Sequence, residues 1–132
     1  MSKIVDGIAT FSGRALVLDD EQIVRRMVEM LLKQLGFEVQ SAGHGDEAIE
    51  LARHAAAENR PFQVALLDLT IAGGRSGSEI APDLRRISPS TRLVASSGYA
   101  ADNSSGRWDA TLPKPYKLAD LSAALERALD KH

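Results

Sequence analysis

Short apolar runs that stop at acids or hydroxyls alternate along this chain with stretches of helical period. Ala15-Leu16-Val17-Leu18 ends in Asp19-Asp20, Val64-Ala65-Leu66-Leu67 ends in Asp68, and Arg92-Leu93-Val94-Ala95 ends in Ser96-Ser97-Gly98. Runs this short and this apolar predict strands buried on both faces. Phe37 to Ala42 predicts a further strand, and Ala110-Thr111-Leu112 a weak last one. From Glu21 to Leu35, apolar residues at Ile23, Val24, Met27, Val28, Leu31 and Leu35 keep helical spacing, with Arg25, Arg26, Glu29 and Lys33 on the opposite face. Gly36 follows where a helix C-cap belongs. Asp46 to Glu58 is an Ala-rich helical stretch with Ala48, Ile49, Leu51, Ala52 and Ala55 at core spacing. Leu118, Leu121, Leu125 and Leu129 mark one stripe of a last helix.

Other segments are written less plainly. A helix from about Glu79 to Ile87 contains Pro82. With Ser78 as N-cap, Pro82 falls in the first turn, where its missing N–H costs nothing. With Ser76 as cap, paired with Glu79 in a capping box, Pro82 falls deeper and breaks a bond. Ser78 is therefore the expected cap. Alternation calls for another helix between Ala100 and Asp109, but Asp102-Asn103-Ser104-Ser105-Gly106 has poor helix propensity. Met1 to Gly13 shows no clear period and reads as a tail or a linker remnant, leaving 14–132 as the domain. Five strands alternating with helices imply an α/β fold: a doubly wound, five-stranded parallel sheet with helices on both faces.

Composition narrows the function classes. A chain of 132 residues is one domain. Sixteen basic against 18 acidic residues give a net charge of -2, which argues against nucleic-acid or membrane-surface partners recruited by bulk charge. The absence of cysteine excludes disulfides, thiolate catalysis and Cys-ligated metals, and fits a reducing, cytoplasmic setting. No apolar run approaches the ~18 residues that span a bilayer. The first residues lack the apolar core of a signal peptide.

In such sheets, ligands bind beyond the C-terminal ends of the strands. The residues expected there are Asp19 and Asp20, Asp68, Ser96 and Ser97, and Lys114. Carboxylates crowded into one mouth repel each other, so they take up protons or gather around a cation. With only oxygen ligands on offer, that cation is a hard one, Mg²⁺ or Mn²⁺, which favours a phosphoryl group as co-ligand. A carboxylate can itself be the nucleophile of phosphoryl transfer. Asp68, alone at the end of the central strand, suits that role, while the adjacent Asp19 and Asp20 suit metal binding. His44, His54 and His132 lack partners at ligand spacing and read as solvated. Gly73 to Gly77 fits no phosphate-loop pattern and reads as a flexible connection. Trp108 is expected to pack near the last strand.

Four motifs, Ala15-Leu-Val-Leu-Asp-Asp-Glu, Leu66-Leu-Asp-Leu-Thr, Ser97-Gly-Tyr and Leu112-Pro-Lys-Pro-Tyr, stand in this order. Together they resemble the receiver domain of two-component response regulators, from Arg14 to about Leu129. The resemblance implies a flavodoxin-like (βα)5 fold. It also implies phosphorylation of Asp68 by a histidine kinase, acting in trans or within a hybrid kinase, with Mg²⁺ present. It implies Asp20 as a direct metal ligand, Asp19 as one through water, and the backbone carbonyl of Thr70 as another. Ser97 would hydrogen-bond the phosphoryl group and Lys114 would pair with it. The Lys114–Pro115 bond would be cis. Departures from the pattern are equally specific. Ala72 replaces the usual proline, and the loop after Asp68 is one residue longer; its Gly73-Gly74 form is similar to receivers attached to hybrid histidine kinases. Thr111 stands where many receivers carry a switching aromatic, leaving Tyr99 and Tyr116 as candidates.

Other functions fit less well. A phosphohydrolase of the haloacid dehalogenase type needs a second Asp where Thr70 stands. A flavodoxin needs a hydroxyl-rich phosphate loop where Asp19-Asp20-Glu21 would repel phosphate. A receiver-like module regulated without phosphate stays open through Thr111. No output domain follows within the chain, so a single-domain regulator and a receiver from a hybrid kinase are both expected forms. The oligomeric state is open, with a dimer on phosphorylation as one alternative.

Overall fold

The apolar runs become the strands of a five-stranded parallel sheet. A computed structural model describes residues 3–5, 8–71, 74–98 and 107–130, the first three through their backbone. Its elements are β1 (Lys3–Val5), β2 (Ile8–Thr10), β3 (Arg14–Leu18), α1 (Gln22–Gln34), β4 (Glu38–Ala42), α2 (Gly45–Ala57), β5 (Val64–Asp68), α3 (Gly77–Ile87), β6 (Arg92–Ser97), β7 (Ala110–Pro113) and α4 (Leu118–Leu129). The main sheet runs β4-β3-β5-β6-β7, all parallel. The order reverses at β3, so β3 and β5 lie side by side with their acidic C-terminal ends at the switch point.

Alternation along the strands splits the core into two layers. Leu16, Leu18, Ala65, Leu67, Leu93 and Ala95 face α2 and α3. Ala15, Val17, Val64, Leu66, Val94 and Leu112 face α1 and α4. The helical faces read from the sequence in α2 and α4 are the ones turned to the core, with Leu51, Leu118 and Leu129 half-buried at their margins. Trp108 is buried just before β7, in the α2/α3 layer.

The structure corrects the sequence reading in several places. The buried stripe of α1 runs through Val28 and Leu32 to Leu35, whereas Ile23 and Met27 are exposed along with Met30. A six-residue apolar set is wider than the face that one sheet layer can cover. The N-cap of α3 is Ser76, not Ser78: its hydroxyl accepts from the Glu79 amide, and the Glu79 carboxylate accepts from the Ser76 amide. Pro82 thus lies inside the helix, with its ring on an exposed face. The reciprocal cap and the buried Ile80, Ala81 and Leu84 offset the lost bond.

Residues 1–13, expected to lack regular structure, contain an antiparallel pair, β1 with β2. Ala9 of β2 is buried, and its carbonyl accepts from the Ser122 hydroxyl of α4 at 3.1 Å. Phe11 stacks on Phe37 at 5.3 Å, and its amide donates to the Leu35 carbonyl. Gly36, at φ +111°, ends α1 as expected, and a Cβ there would collide with the Phe11 carbonyl oxygen. The helix expected between Ala100 and Asp109 falls largely outside the described residues, as do Ala72, Gly73, Tyr99 and His132. His44 and His54 are exposed, as expected.

Candidate functional site

Two strands and one loop deliver the chemistry to a single mouth. β3 ends at Leu18 and delivers Asp19, then Asp20; β5 ends at Asp68; the turn after β7 brings in Lys114. The carboxylates of Asp19, Asp20 and Asp68 each offer an oxygen within 4.8 Å of the others. Asp19 and Asp68 are buried, and Asp20 is half-exposed. Lys114 Nζ donates to Asp19 Oδ2 at 2.8 Å and to Asp68 Oδ2 at 3.3 Å. The geometry is that of a cation inserted between two buried anions.

The remaining oxygens are held by main chain. Asp19 Oδ1 accepts from the Glu21 amide at 3.0 Å, and Asp68 Oδ1 accepts from the Thr70 amide at 2.9 Å. These short-range turns make each acid the pivot between strand and loop. Ser96 is the register partner of Asp68, and its carbonyl accepts from the Leu69 amide. The Ser97 carbonyl accepts from the Lys114 amide at 2.7 Å, tying the turn after β7 to β6. The Lys114–Pro115 peptide is cis. Both serines are buried.

Electrostatics follow from this crowding. Burial pushes the Asp68 carboxyl up; the Thr70 amide and Lys114 oppose this, and Asp19 adds to it. Burial alone would lower the Lys114 ammonium, but the bonds and charges of Asp19 and Asp68 outweigh it and raise the group. Lys114 therefore stays charged at neutral pH. Tyr116 is packed against the α1/α4 layer. Burial pushes its phenol well up, and the negative charges of Asp19 and Asp68 add to the effect, while the neighbouring Ser96 hydroxyl works the other way. That hydroxyl is buried without a well-formed hydrogen bond among the described residues.

The donor set suits a hard divalent cation: carboxylate oxygens close together, with no histidine or thiolate in the cluster. A magnesium ion would find Asp20 and Asp68 as ligands, with Asp19 released from Lys114 or reached through water. The loop from β5 to α3 is strapped at its far end. Arg75 bonds Asp83 of α3 at 2.5 Å and Asp46 of α2 at 3.4 Å. Gly77 starts α3 directly against Asp68, where a Cβ would lie 2.8 Å from the Asp68 carbonyl oxygen. Sequence reading missed one residue at the site: Arg25, taken as part of the polar face of α1, donates from Nη1 to the Asp19 carbonyl at 2.8 Å. Thr111 is half-buried on β7. No helix among the described residues is long and apolar enough to cross a membrane.

A family model described as the response regulator receiver domain matches residues 15–126. The sensor kinase CckA of Brucella abortus is 29% identical, across 98% of this chain and 14% of that protein. The chain thus spans about one-seventh of the length of the sensor kinases it matches. The transcriptional regulatory protein PdtaR of Mycobacterium tuberculosis is 32% identical, across 96% of this chain and 61% of that protein. Among solved structures, the receiver domain of the histidine kinase CKI1 from Arabidopsis thaliana, complexed with Mg²⁺ and BeF3-, superposes with a TM-score of 0.76. That structure is 25% identical, covering 90% of this chain and 91% of the other.

Proposed function

This chain belongs to the response regulator receiver domain family of two-component systems, and from that premise we propose that it takes a phosphoryl group onto Asp68 from a histidine kinase. The observation that carries the proposal is the meeting of three carboxylates within 4.8 Å, with Lys114 bonded to two of them. An Asp68 oxygen attacks phosphorus in line as the bond to the donor imidazole nitrogen breaks, and the imidazole keeps that electron pair and takes up a proton. Mg²⁺ would be held by Asp20, Asp68 and the Thr70 carbonyl, with Asp19 through water, and when bound would supply charge that offsets the developing negative charge on the phosphoryl oxygens. Lys114 gives up its bond to Asp68 and pairs with a phosphoryl oxygen. Ser97 donates its hydroxyl to another. The net change repositions the Lys114 and Ser97 strand ends, which are already joined by the Lys114–Ser97 main-chain bond, and so alters the outer surface.

The kinase acts in trans or within a hybrid kinase of which this domain is a part; the match to sensor kinases supports the second form. A cytoplasmic setting follows from that role. Catalysis is confined to the domain's own phosphorylation and slow dephosphorylation. The test is intact mass after incubation with acetyl phosphate and Mg²⁺. One added phosphoryl group is expected, lost with EDTA or with Asp68→Asn. A gain that survives Asp68→Asn would move the nucleophile elsewhere. A second reading, a module regulated without phosphate, is favoured by one observation: Thr111 on β7 offers no ring to turn. It predicts no mass gain and partner binding unchanged by Asp68→Asn.

A further inference from the structure

We propose that Arg25 is a positioning residue for the metal side of the site: it holds the peptide joining Asp19 to Asp20 and so aims the Asp20 carboxylate toward Asp68. The inference rests on the reading of the acidic cluster as a Mg²⁺ site.

Asp19 is restrained at every polar atom. Its amide donates to the Ala42 carbonyl at 3.1 Å, Oδ1 accepts from the Glu21 amide, and Oδ2 accepts from Lys114. The fourth restraint, on the carbonyl, comes from Arg25 Nη1 at 2.8 Å. That carbonyl belongs to the peptide whose nitrogen is Asp20's. Its direction sets the plane of the peptide and hence where the Asp20 side chain starts. Arg25 is itself fixed at the start of α1, where its amide donates to the Glu21 carbonyl at 2.8 Å. Its guanidinium crosses beside Gly43: a Cβ built there would lie 3.0 Å from Nη1. Arg25 therefore bonds the main chain of the turn after β3 while its guanidinium packs beside the turn after β4. Groups that orient a metal's ligands in this way influence metal affinity strongly.

Charge and positioning have opposite signs here. A cation near the site repels a divalent ion, so a purely electrostatic Arg25 would weaken Mg²⁺ binding, and its removal would strengthen it. A positioning Arg25 strengthens binding, and its removal weakens it. The experiment is a calorimetric Mg²⁺ titration of the full chain, wild type against Arg25→Ala and Arg25→Lys. It is run at about 0.5 M salt, where the screening length falls to roughly 4 Å. Arg25→Ala is expected to weaken Mg²⁺ binding about tenfold. The Mg²⁺ concentration for half-maximal phosphorylation by acetyl phosphate should rise by the same factor, with the rate at saturating Mg²⁺ retained. Arg25→Lys, which keeps a donor and the charge, should recover part of the loss. Unchanged or tighter Mg²⁺ binding in Arg25→Ala overturns the inference while leaving the phosphoacceptor reading intact. A wild-type chain that takes up no Mg²⁺ overturns both.

Discussion

Lys114 Nζ and Asp19 Oδ2 meet at 2.8 Å although 95 positions separate them in the chain. The contact is shorter than the 3.3 Å between the same ammonium and Asp68. Lys114 thus sits closer to Asp19 than to Asp68, the proposed acceptor. It offsets part of the charge of two buried carboxylates whose own repulsion would otherwise oppose folding.

Removing that cation leaves both acids buried and unpaired. Breaking a buried ion pair costs about 3–5 kcal/mol, and the one-fifth exposure of the Lys114 side chain (21%) moves the expectation below that range. Lys114→Met should therefore lose about 2–3 kcal/mol in urea unfolding without Mg²⁺. Added Mg²⁺ should restore much of this, because a cation again stands between the acids, and Mg²⁺ affinity should be retained. The phosphorylated variant should fail to show the conformational response of the wild type. A collapse of Mg²⁺ affinity would make Lys114 part of the scaffold instead.

The Asp68 carboxyl is raised above 3.8, chiefly by burial. A carboxyl that binds its proton more tightly in the folded chain stabilises that chain below 3.8, and this contribution is lost as pH rises to the folded value. In Mg²⁺-free buffer, wild-type stability should therefore fall as pH rises through that window. Asp68→Asn should lack this slope and show the higher urea midpoint at neutral pH. With Mg²⁺ present, the order should reverse, since the ion binds the charged form. Parallel profiles for the two proteins would mean that Asp68 carries no burial strain.

Much of this was legible because the strongest signals are local. The runs from Ala15 to Leu18 and from Val64 to Leu67 are apolar on every residue, which only a strand covered on both faces requires. The acids that end them fall at the rim by topology alone. What escaped depends on tertiary partners. Arg25 has the right spacing for a solvated helix face, and only the turn back to the Asp19 carbonyl reveals its contact. Ile23 matches the period of α1 yet lies beyond the sheet layer. Pro82 argues locally against Ser76 as the cap, and the buried side of α3 overrides that preference. Strands of three residues, as in β1 and β2, are too short to show a period.

Gly77 links the start of α3 to the acceptor. A methyl group added there would lie 2.8 Å from the Asp68 carbonyl oxygen and 2.8 Å from Leu67 Cβ. Neither atom can swing away, since both belong to the buried end of β5. Gly77→Ala should cost about 1–3 kcal/mol through overpacking. It should also slow phosphorylation, because relief comes by displacing Asp68 or the helix. A variant with full stability and a wild-type rate would show that α3 slides without disturbing the site.

The segment before β3 separates stability from chemistry. Phe11 stacks on Phe37, which precedes β4 and so lies at the end of the sheet opposite the acids, and the Ala9 carbonyl accepts from Ser122 of α4. A fully buried Phe→Ala change costs about 3–5 kcal/mol, so for the half-buried Phe11 about 1–2 kcal/mol is expected. Deleting residues 1–12 should lower the urea midpoint further, because it uncovers the Ser122 face of α4 and removes the acceptor of that hydroxyl. Phosphorylation measured well below the new midpoint should keep its wild-type rate and Mg²⁺ dependence. A truncated chain as stable as the whole would make the hairpin a passive tail, and a changed Mg²⁺ dependence would mean that the hairpin reaches the site through α1.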